Sequence, residues 1–189
     1  ATAAAEVAFA NIVVTTPVTP PPVELTPAPS PTPDGAVDFT GLDVTSYGDS
    51  PALQDLTGGA SVVDGGVTLV LSGNTWKKVP LETVIASDTV LEFDAFVAAE
   101  GEIQGLGFDN DNSYAQLATF QFAGTTSPWG IPVELFGEDV VGSPGWVHYE
   151  IPIGTFYQGS FTHLFFVNDD DATAAAEVAF ANIVVTTPV

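Results

Sequence analysis

Hydrophobic and polar residues alternate in many short segments of this chain. The clearest is TVLEFDAFV at 89–97, where Leu91 and Phe93 alternate with Glu92 and Asp94. A period of two residues is typical of a β-strand that buries one face. No segment shows sustained helical periodicity, so the pattern predicts an all-β chain.

Turns rich in Gly, Pro, Asp and Asn separate ten such segments. They lie at 36–39, 61–63, 67–71, 75–79, 89–97, 103–108, 119–122, 146–153, 163–168 and 177–185. Asp64-Gly65-Gly66 predicts a hairpin turn between the second and third segments. Nine or ten short strands joined in this way predict an antiparallel two-sheet sandwich of jelly-roll type.

One of these strands is present twice. Residues 1–18 and 172–189 both read ATAAAEVAFANIVVTTPV, so the same eighteen residues recur 171 positions apart. Identity over the whole window excludes both chance and old, diverged repeats. Within EVAFANIVV the alternation slips at the asparagine, Asn11 in the first copy, which predicts a β-bulge.

The duplication suggests three parts. We interpret residues 1–18 as the closing strand of a preceding identical repeat, 19–33 as a Pro/Thr-rich linker and 34–189 as one β-sandwich domain. An alternative for the first part is a donor strand that pairs with a neighbouring chain. Proline favours an extended linker, because it removes backbone donors. Its Ser and Thr residues make it a candidate O-glycosylation tract, against the simpler interpretation of a solvated spacer.

Basic residues are almost absent. The chain has 24 acidic residues and two basic ones, Lys77 and Lys78, for a net charge of −22. Such a surface repels nucleic acid and anionic membranes, and no apolar run is long enough to span a membrane. Bound calcium or a saline habitat would each offset the repulsion. The absence of cysteine, together with the Ser/Thr/Pro linker, predicts a secreted or cell-surface protein.

Junctions between such acidic repeats cannot rely on salt bridges, because two lysines cannot build a network. We therefore expect apolar residues of the repeated strand to be buried at the junction, namely Val7, Phe9, Ile12 and Val14.

Two acidic clusters follow predicted strands. Calcium prefers six to eight oxygen ligands, which carboxylates and loop carbonyls supply. The sequence predicts a calcium site near one or both clusters, with ligands from Asp109, Asp111, Asp169 and Asp171 and additional oxygens from Glu100 and Glu102. The alternative is two solvated turns in which Asp and Asn bond their own backbone.

Aromatic residues supply a second candidate chemistry. Trp129 lies in the predicted loop Ser127-Pro128-Trp129-Gly130 and is the best candidate for stacking on a sugar ring, with Tyr114 as a second ring and Gln104 as a flanking polar group. The alternative for each aromatic residue is packing in the core. Catalysis has little support, because His148 and His163 lie within strands and no serine has a nucleophile-elbow context.

Several segments together resemble a known family. They are DGGVTLVLSGNTWKKV (64–79), TVLEFDAFVAAEGEIQGLGFDND (89–111), GWVHYEIPIGTFYQGSFTHLFFVNDDD (145–171) and the final FANIVV. The series resembles a carbohydrate-binding-like β-sandwich module of secreted bacterial polysaccharide-active enzymes and large repeat-containing surface proteins. The resemblance implies a jelly-roll sandwich that commonly binds calcium, with sugar recognition in some relatives. Gln104 stands where a histidine is frequent, and Asp170 departs from an NDHD-like stretch.

These observations lead to two functional hypotheses. The first is a structural repeat unit of a secreted tandem-repeat fibre or adhesin, whose partners are identical repeats of itself. The alternative is a calcium-dependent carbohydrate-binding module with a polysaccharide partner. An array of identical domains is a poor design for an enzyme, so we expect no catalytic activity.

Overall fold

The computed structural model describes residues 29–126, 128–133 and 136–188. Its eleven strands form two sheets that pack face to face. Sheet A has the order β1-β4-β10-β6-β7-β8, and sheet B has the order β2-β3-β11-β5-β9. All pairs are antiparallel except β7 with β8. The predicted all-β two-sheet sandwich is confirmed, while its jelly-roll connectivity stays a prediction.

The strands are β1 Thr45–Ser46, β2 Gly59–Val63, β3 Thr68–Ser72, β4 Thr75–Ile85, β5 Val90–Ala99, β6 Ile103–Asp109, β7 Thr119–Ala123, β8 Ile131–Pro132, β9 Val147–Ile151, β10 Gly159–Asp169 and β11 Glu177–Thr186. One helical turn, α1 Pro51–Gln54, and short 3₁₀ turns complete the described elements. Among the described residues no helix has the length and hydropathy needed to cross a membrane.

Several segments differ from the sequence prediction: β1 and β8 are strands that it did not include, and β10 begins at Gly159 rather than at residue 163. Residues 36–39 form no strand, although Val37 and Phe39 donate isolated backbone hydrogen bonds to Ile183 and Gly66. Strand β4 continues through Pro80, where the prediction ended it at residue 79. Pro80 lies beyond the short pairing with β1, in the part of β4 that is an edge strand. An edge strand tolerates proline, which has no backbone N–H to donate.

The core lies between the sheets. Alternation places the large apolar side chains of both sheets inside, as predicted for β5, whose Leu91 and Phe93 are fully buried. Phe166 of sheet A meets Phe180 of sheet B with ring centroids 4.9 Å apart. Because these phenylalanines come from both sheets, the core fixes how the sheets pack.

The outer face of sheet A carries a second apolar cluster. Its buried members are Tyr47, Trp76, Ile103, Phe165 and Val167, and Ala115 and Trp129 pack against them. Gly107 of β6 makes room for this layer, since a Cβ there would lie 2.1 Å from the Ala118 carbonyl oxygen and 2.7 Å from the Phe165 ring. The loops that follow β6 and β7 therefore lie on this face.

Strand β11 is a central strand of sheet B and contains the predicted bulge. Its register with β5 shifts between Ala181 and Val184, and Asn182 has a φ of 53°. Asparagine tolerates this left-handed conformation better than most residues. The predictions for residues 1–18, including the burial of Val7, Phe9, Ile12 and Val14, lie outside the described residues.

Candidate functional site

The two predicted acidic clusters lie at opposite ends of the β6–β10 pair. Asp109 ends β6 and lies opposite His163, whereas Asp169 ends β10 and lies opposite Ile103. Six positions along an antiparallel strand span about 20 Å. The four predicted aspartates are therefore not brought together in one site.

At the first end, protein donors already satisfy the carboxylates. Tyr47 donates its hydroxyl to Asp109 Oδ2 at 2.7 Å, and the Asn110 N–H donates to Asp109 Oδ1 at 2.7 Å. The Ser113 N–H donates to Asp111 Oδ1 at 2.8 Å. Burial and the bond to Asp109 raise the pKa of Tyr47, so its hydroxyl stays protonated as a donor. We call residues 109–113 the Asp109 turn.

At the other end, three carboxylates converge. Oxygens of Glu102, Asp169 and Asp171 all lie within 4.8 Å of one another. We call this group the carboxylate triad. Two of its members were predicted as ligands and Glu102 as an additional oxygen, whereas Glu100 is not part of it.

The β5–β6 turn brings Glu102 to the end of β10. The Glu102 N–H donates to the Asp169 carbonyl at 2.6 Å, and the Asp171 N–H donates to Glu102 Oε2 at 3.0 Å. Gly101 permits this approach, because a Cβ there would lie 2.4 Å from the Asp169 carbonyl oxygen. Sequence analysis missed Gly101, whose role depends on a contact between distant segments.

The triad lacks a positive partner among the described residues. The pKa of Asp169 is raised to about 6, chiefly by burial and also by the charges of Asp171 and Glu102, while the hydrogen bond from Trp76 opposes the shift. Asn74 Nδ2 donates to Asp171 Oδ1 at 2.5 Å, while the side-chain oxygen Oδ1 of Asn74 is buried with no partner among the described residues. A divalent cation would relieve this repulsion and accept oxygen ligands of these types.

Asp170, between two members of the triad, has a structural role. Burial opposes its ionisation, but hydrogen bonds from Thr173 and from the N–H groups of Ala175 and Ala176 hold its pKa at about 2. The residue is 5% exposed, and its carboxylate fixes the turn between β10 and β11. This turn orients the neighbouring aspartates.

An aromatic patch adjoins the triad. The rings of Trp76, Tyr114 and Trp129 contact one another with centroids 5.7 to 6.4 Å apart. Trp76 is buried and donates Nε1–H to Asp169 Oδ1 at 2.9 Å, which joins the patch to the triad. Tyr114 is 47% exposed and Trp129 is half-buried. The patch thus presents aromatic surface to solvent beside three carboxylates.

Gln121 positions the loop that carries Trp129. Its buried side chain accepts hydrogen bonds from the N–H groups of Trp129 and Gly130 at 2.9 and 3.0 Å. Gln116 donates to the Trp129 carbonyl at 2.5 Å. Two glutamines on different elements therefore hold the Trp129 backbone.

Gln104 lies away from this patch. It is fully buried and donates to the Ala99 carbonyl and to Asn168 Oδ1. Alternation in β6 places it on the inner face with Leu106, while Ile103 points to the outer face. The prediction that Gln104 flanks a sugar therefore needs correction: its side chain is enclosed by protein on the inner face of sheet A.

An open groove of about 550 Å³ lies on another side of Tyr114. Apolar residues line much of it, including Ala115, Leu117 and Phe161. Leu117 is 85% exposed. This volume is within the range of ligand-binding clefts, so Tyr114 is placed to contact a ligand in the groove.

The other charged residues singled out in the sequence are engaged elsewhere. Lys77 Nζ lies 2.6 Å from Asp55 Oδ2 and so neutralises an acidic neighbour. His148 Nδ1 lies 2.7 Å from Oδ1 of the buried Asp94. Neither group belongs to the triad or to the aromatic patch.

Comparisons with known proteins find a distant structural likeness. No protein family model matches the sequence, and no curated protein matches it. Among solved structures, the crystal structure of a family 30 carbohydrate-binding module is similar, at 17% identity and a TM-score of 0.35. The match covers 84% of this chain and 95% of the other. A likeness this distant supports no functional assignment.

Proposed function

We propose that this domain is a structural repeat unit of a secreted tandem-repeat fibre or adhesin. The observation that carries the proposal is the duplicated strand. Its second copy is β11, which already fills the position between β3 and β5 of sheet B. An identical preceding repeat would offer the first copy the same environment.

The end of the linker supports a defined junction. Asn182 of β11 donates Nδ2–H to the Ser30 carbonyl at 2.8 Å. Residues close to the domain boundary therefore contact sheet B, in agreement with a spacer that lies along a domain. Charge favours the same arrangement. Lys77 is already paired with Asp55 within the domain, and long-range repulsion between acidic domains favours extended arrays.

Chains of two, three and four repeats test this proposal. Small-angle scattering and negative-stain microscopy should show a maximum dimension that increases by a constant length with each repeat. A dimension that varies irregularly, or that stays constant as repeats are added, would contradict the fibre.

The aromatic patch and the carboxylate triad favour a second function, calcium-dependent carbohydrate binding. The specific observation is the hydrogen bond from Trp76 to Asp169, through which an ion held by the triad would order the patch. Exposed faces of Tyr114 and Trp129 would then stack on sugar rings, as planar aromatic surfaces do with apolar ring faces.

Binding to cellulose, xylan and chitin, measured with 1 mM calcium and with chelator, tests this function. Trp129→Ala should weaken binding about tenfold, which corresponds to about 1.4 kcal/mol. Trp146→Ala is the matched control, because Trp146 packs beside Phe96 of sheet B. Equal effects of the two substitutions, or binding that calcium does not alter, would contradict a site at the patch.

A further inference from the structure

Strand β11 is paired along both edges and buried against the core. It pairs with β3 from Glu177 to Ala181 and with β5 up to Thr186. Val178, Phe180 and Ile183 are fully buried. The position of β11 is therefore specific for a particular sequence, and one strand fills it.

Residues 1–18 reproduce the features that this position requires. The buried Val178, Phe180 and Ile183 correspond to Val7, Phe9 and Ile12, and the bulge residue Asn182 corresponds to Asn11. Asn182 matters because it combines a left-handed backbone with hydrogen bonds to Asp94 and Ser30.

The copies also match at both ends of β11. The donors to Asp170, which are Thr173, Ala175 and Ala176, correspond to Thr2, Ala4 and Ala5. At the other end the Thr187 hydroxyl lies 2.7 Å from that of Thr89, and Thr187 corresponds to Thr16. The first copy therefore carries the side chains that anchor β11 at each end.

The linker is long enough for the first copy to reach this position in its own domain. Ser30 is fixed beside Asn182, and Thr187 marks the far end of the strand. Five residues of strand separate these points, or about 17 Å. Residues 17–29 would have to cover that distance, and thirteen residues of extended proline-rich chain reach about 40 Å.

We propose that the β11 position is a strand-exchange site, which residues 1–18 of the same chain occupy when residues 172–189 leave it. The same chain is the favoured source because a short linker holds its strand at a millimolar effective concentration. The proposal rests on the repeat-unit function and extends it: each repeat of an array could accept the copy on either side of its linker. Neighbouring repeats could then exchange strands, and each domain would be folded before and after the exchange.

Aspartate substitutions in the complete chain test the proposal. Phe180→Asp places an unpaired charge in the core, which excludes the C-terminal copy from its position. The chain should still fold, because Phe9 is intact, and it should remain monomeric by light scattering. Phe9→Asp alone should also fold, whereas the double variant should lose its cooperative urea transition.

Phe166→Asp is the matched control, since Phe166 is equally buried against Phe180 but has no duplicate. It should unfold the chain even though both strand copies are intact. Hydrogen exchange gives the direct measurement, because the substitution makes the two copies differ in mass. In Phe180→Asp, protection should move from residues 177–186 to residues 6–15 by at least about a hundredfold.

Three results would overturn the proposal. The first is unfolding of Phe180→Asp as complete as that of the double variant. The second is folding of Phe180→Asp without protection of residues 6–15. The third is folding only as a dimer, which would assign the strand to a second copy. None of these results would change the spacing of a multi-repeat array, so failure of strand exchange and failure of the fibre are distinguishable.

Discussion

The two ends of the β6–β10 pair carry similar acidic sequences in different environments. In the Asp109 turn, a buried tyrosine and backbone N–H groups satisfy the carboxylates. In the carboxylate triad, three acidic groups face one another with Trp76 and Asn74 as side-chain donors. The comparison teaches that acidic residues stabilise a turn where protein donors surround them and could hold a cation where three carboxylates converge.

The largest effect is expected at the Asp109 turn. Tyr47 is fully buried and stacks on Phe165 with centroids 4.4 Å apart. Tyr47→Ala should lower the free energy of unfolding by about 3 to 5 kcal/mol, measured by urea denaturation. The loss should be the same with calcium and with chelator. Tyr114→Ala is the control and should cost less than about 1 kcal/mol, because Tyr114 is exposed.

The second largest effect is expected from calcium, which should stabilise the domain through the carboxylate triad and not through the Asp109 turn. An ion present at a hundred times its dissociation constant stabilises the folded state by about 2.7 kcal/mol. For a domain of this size the melting temperature would rise by about 5 to 10 °C. Asp169→Asn should abolish the increase, and Asp109→Asn should retain it. Melts at matched ionic strength with magnesium or chelator separate binding from screening, and identical curves throughout would leave only a saline-adapted surface.

Sequence reasoning predicted most of the fold because strand alternation is local. The segment at 89–97 corresponds closely to β5, and the slip in EVAFANIVV correctly predicted the bulge at Asn182. Residues 36–39 also alternate, but they make only single backbone hydrogen bonds to Ile183 of β11 and to Gly66, and they form no ladder. The local pattern gave no indication of this path.

The site was harder to predict because its geometry is not local. Tyr47 meets Asp109 across 62 positions of sequence, so no local pattern distinguishes the two acidic clusters. The position of Gln104 depends on the parity of β6, which sequence analysis could have used: Gln104 and Leu106 share one face. Glu102 was recognised as an oxygen donor, but only the close approach at Gly101 brings it to Asp169.

Gly101→Ala tests that approach and should have an intermediate effect. The added Cβ would overlap the Asp169 carbonyl oxygen, and relieving the overlap should cost about 1 to 3 kcal/mol while moving Glu102 away. Calcium titration by calorimetry should show weaker binding. Gly59→Ala is the matched control, because a Cβ there meets nothing within 4 Å. If both variants bind calcium alike, the close approach does not organise the triad.

The smallest effect concerns pH and again separates the two ends. The pKa of Asp169 is raised from 3.8 to about 6 in the folded state, so the folded state binds this proton more tightly than the unfolded chain does. Its contribution to stability is fully present below about pH 4 and is lost as pH rises through about 6. Burial raises the pKa of Glu177 in the same direction, while Asp170, with a pKa of about 2, contributes stability that is lost only at lower pH.

The difference between the parent chain and Asp169→Asn therefore isolates Asp169. In chelator, urea midpoints of the parent should fall between pH 4 and 6 relative to those of Asp169→Asn. Saturating calcium should remove that fall, because the ion stabilises the ionised carboxylate. Asp109→Asn should leave the fall unchanged, and parallel profiles for the parent and Asp169→Asn would show that the pKa of Asp169 is not raised in the folded state.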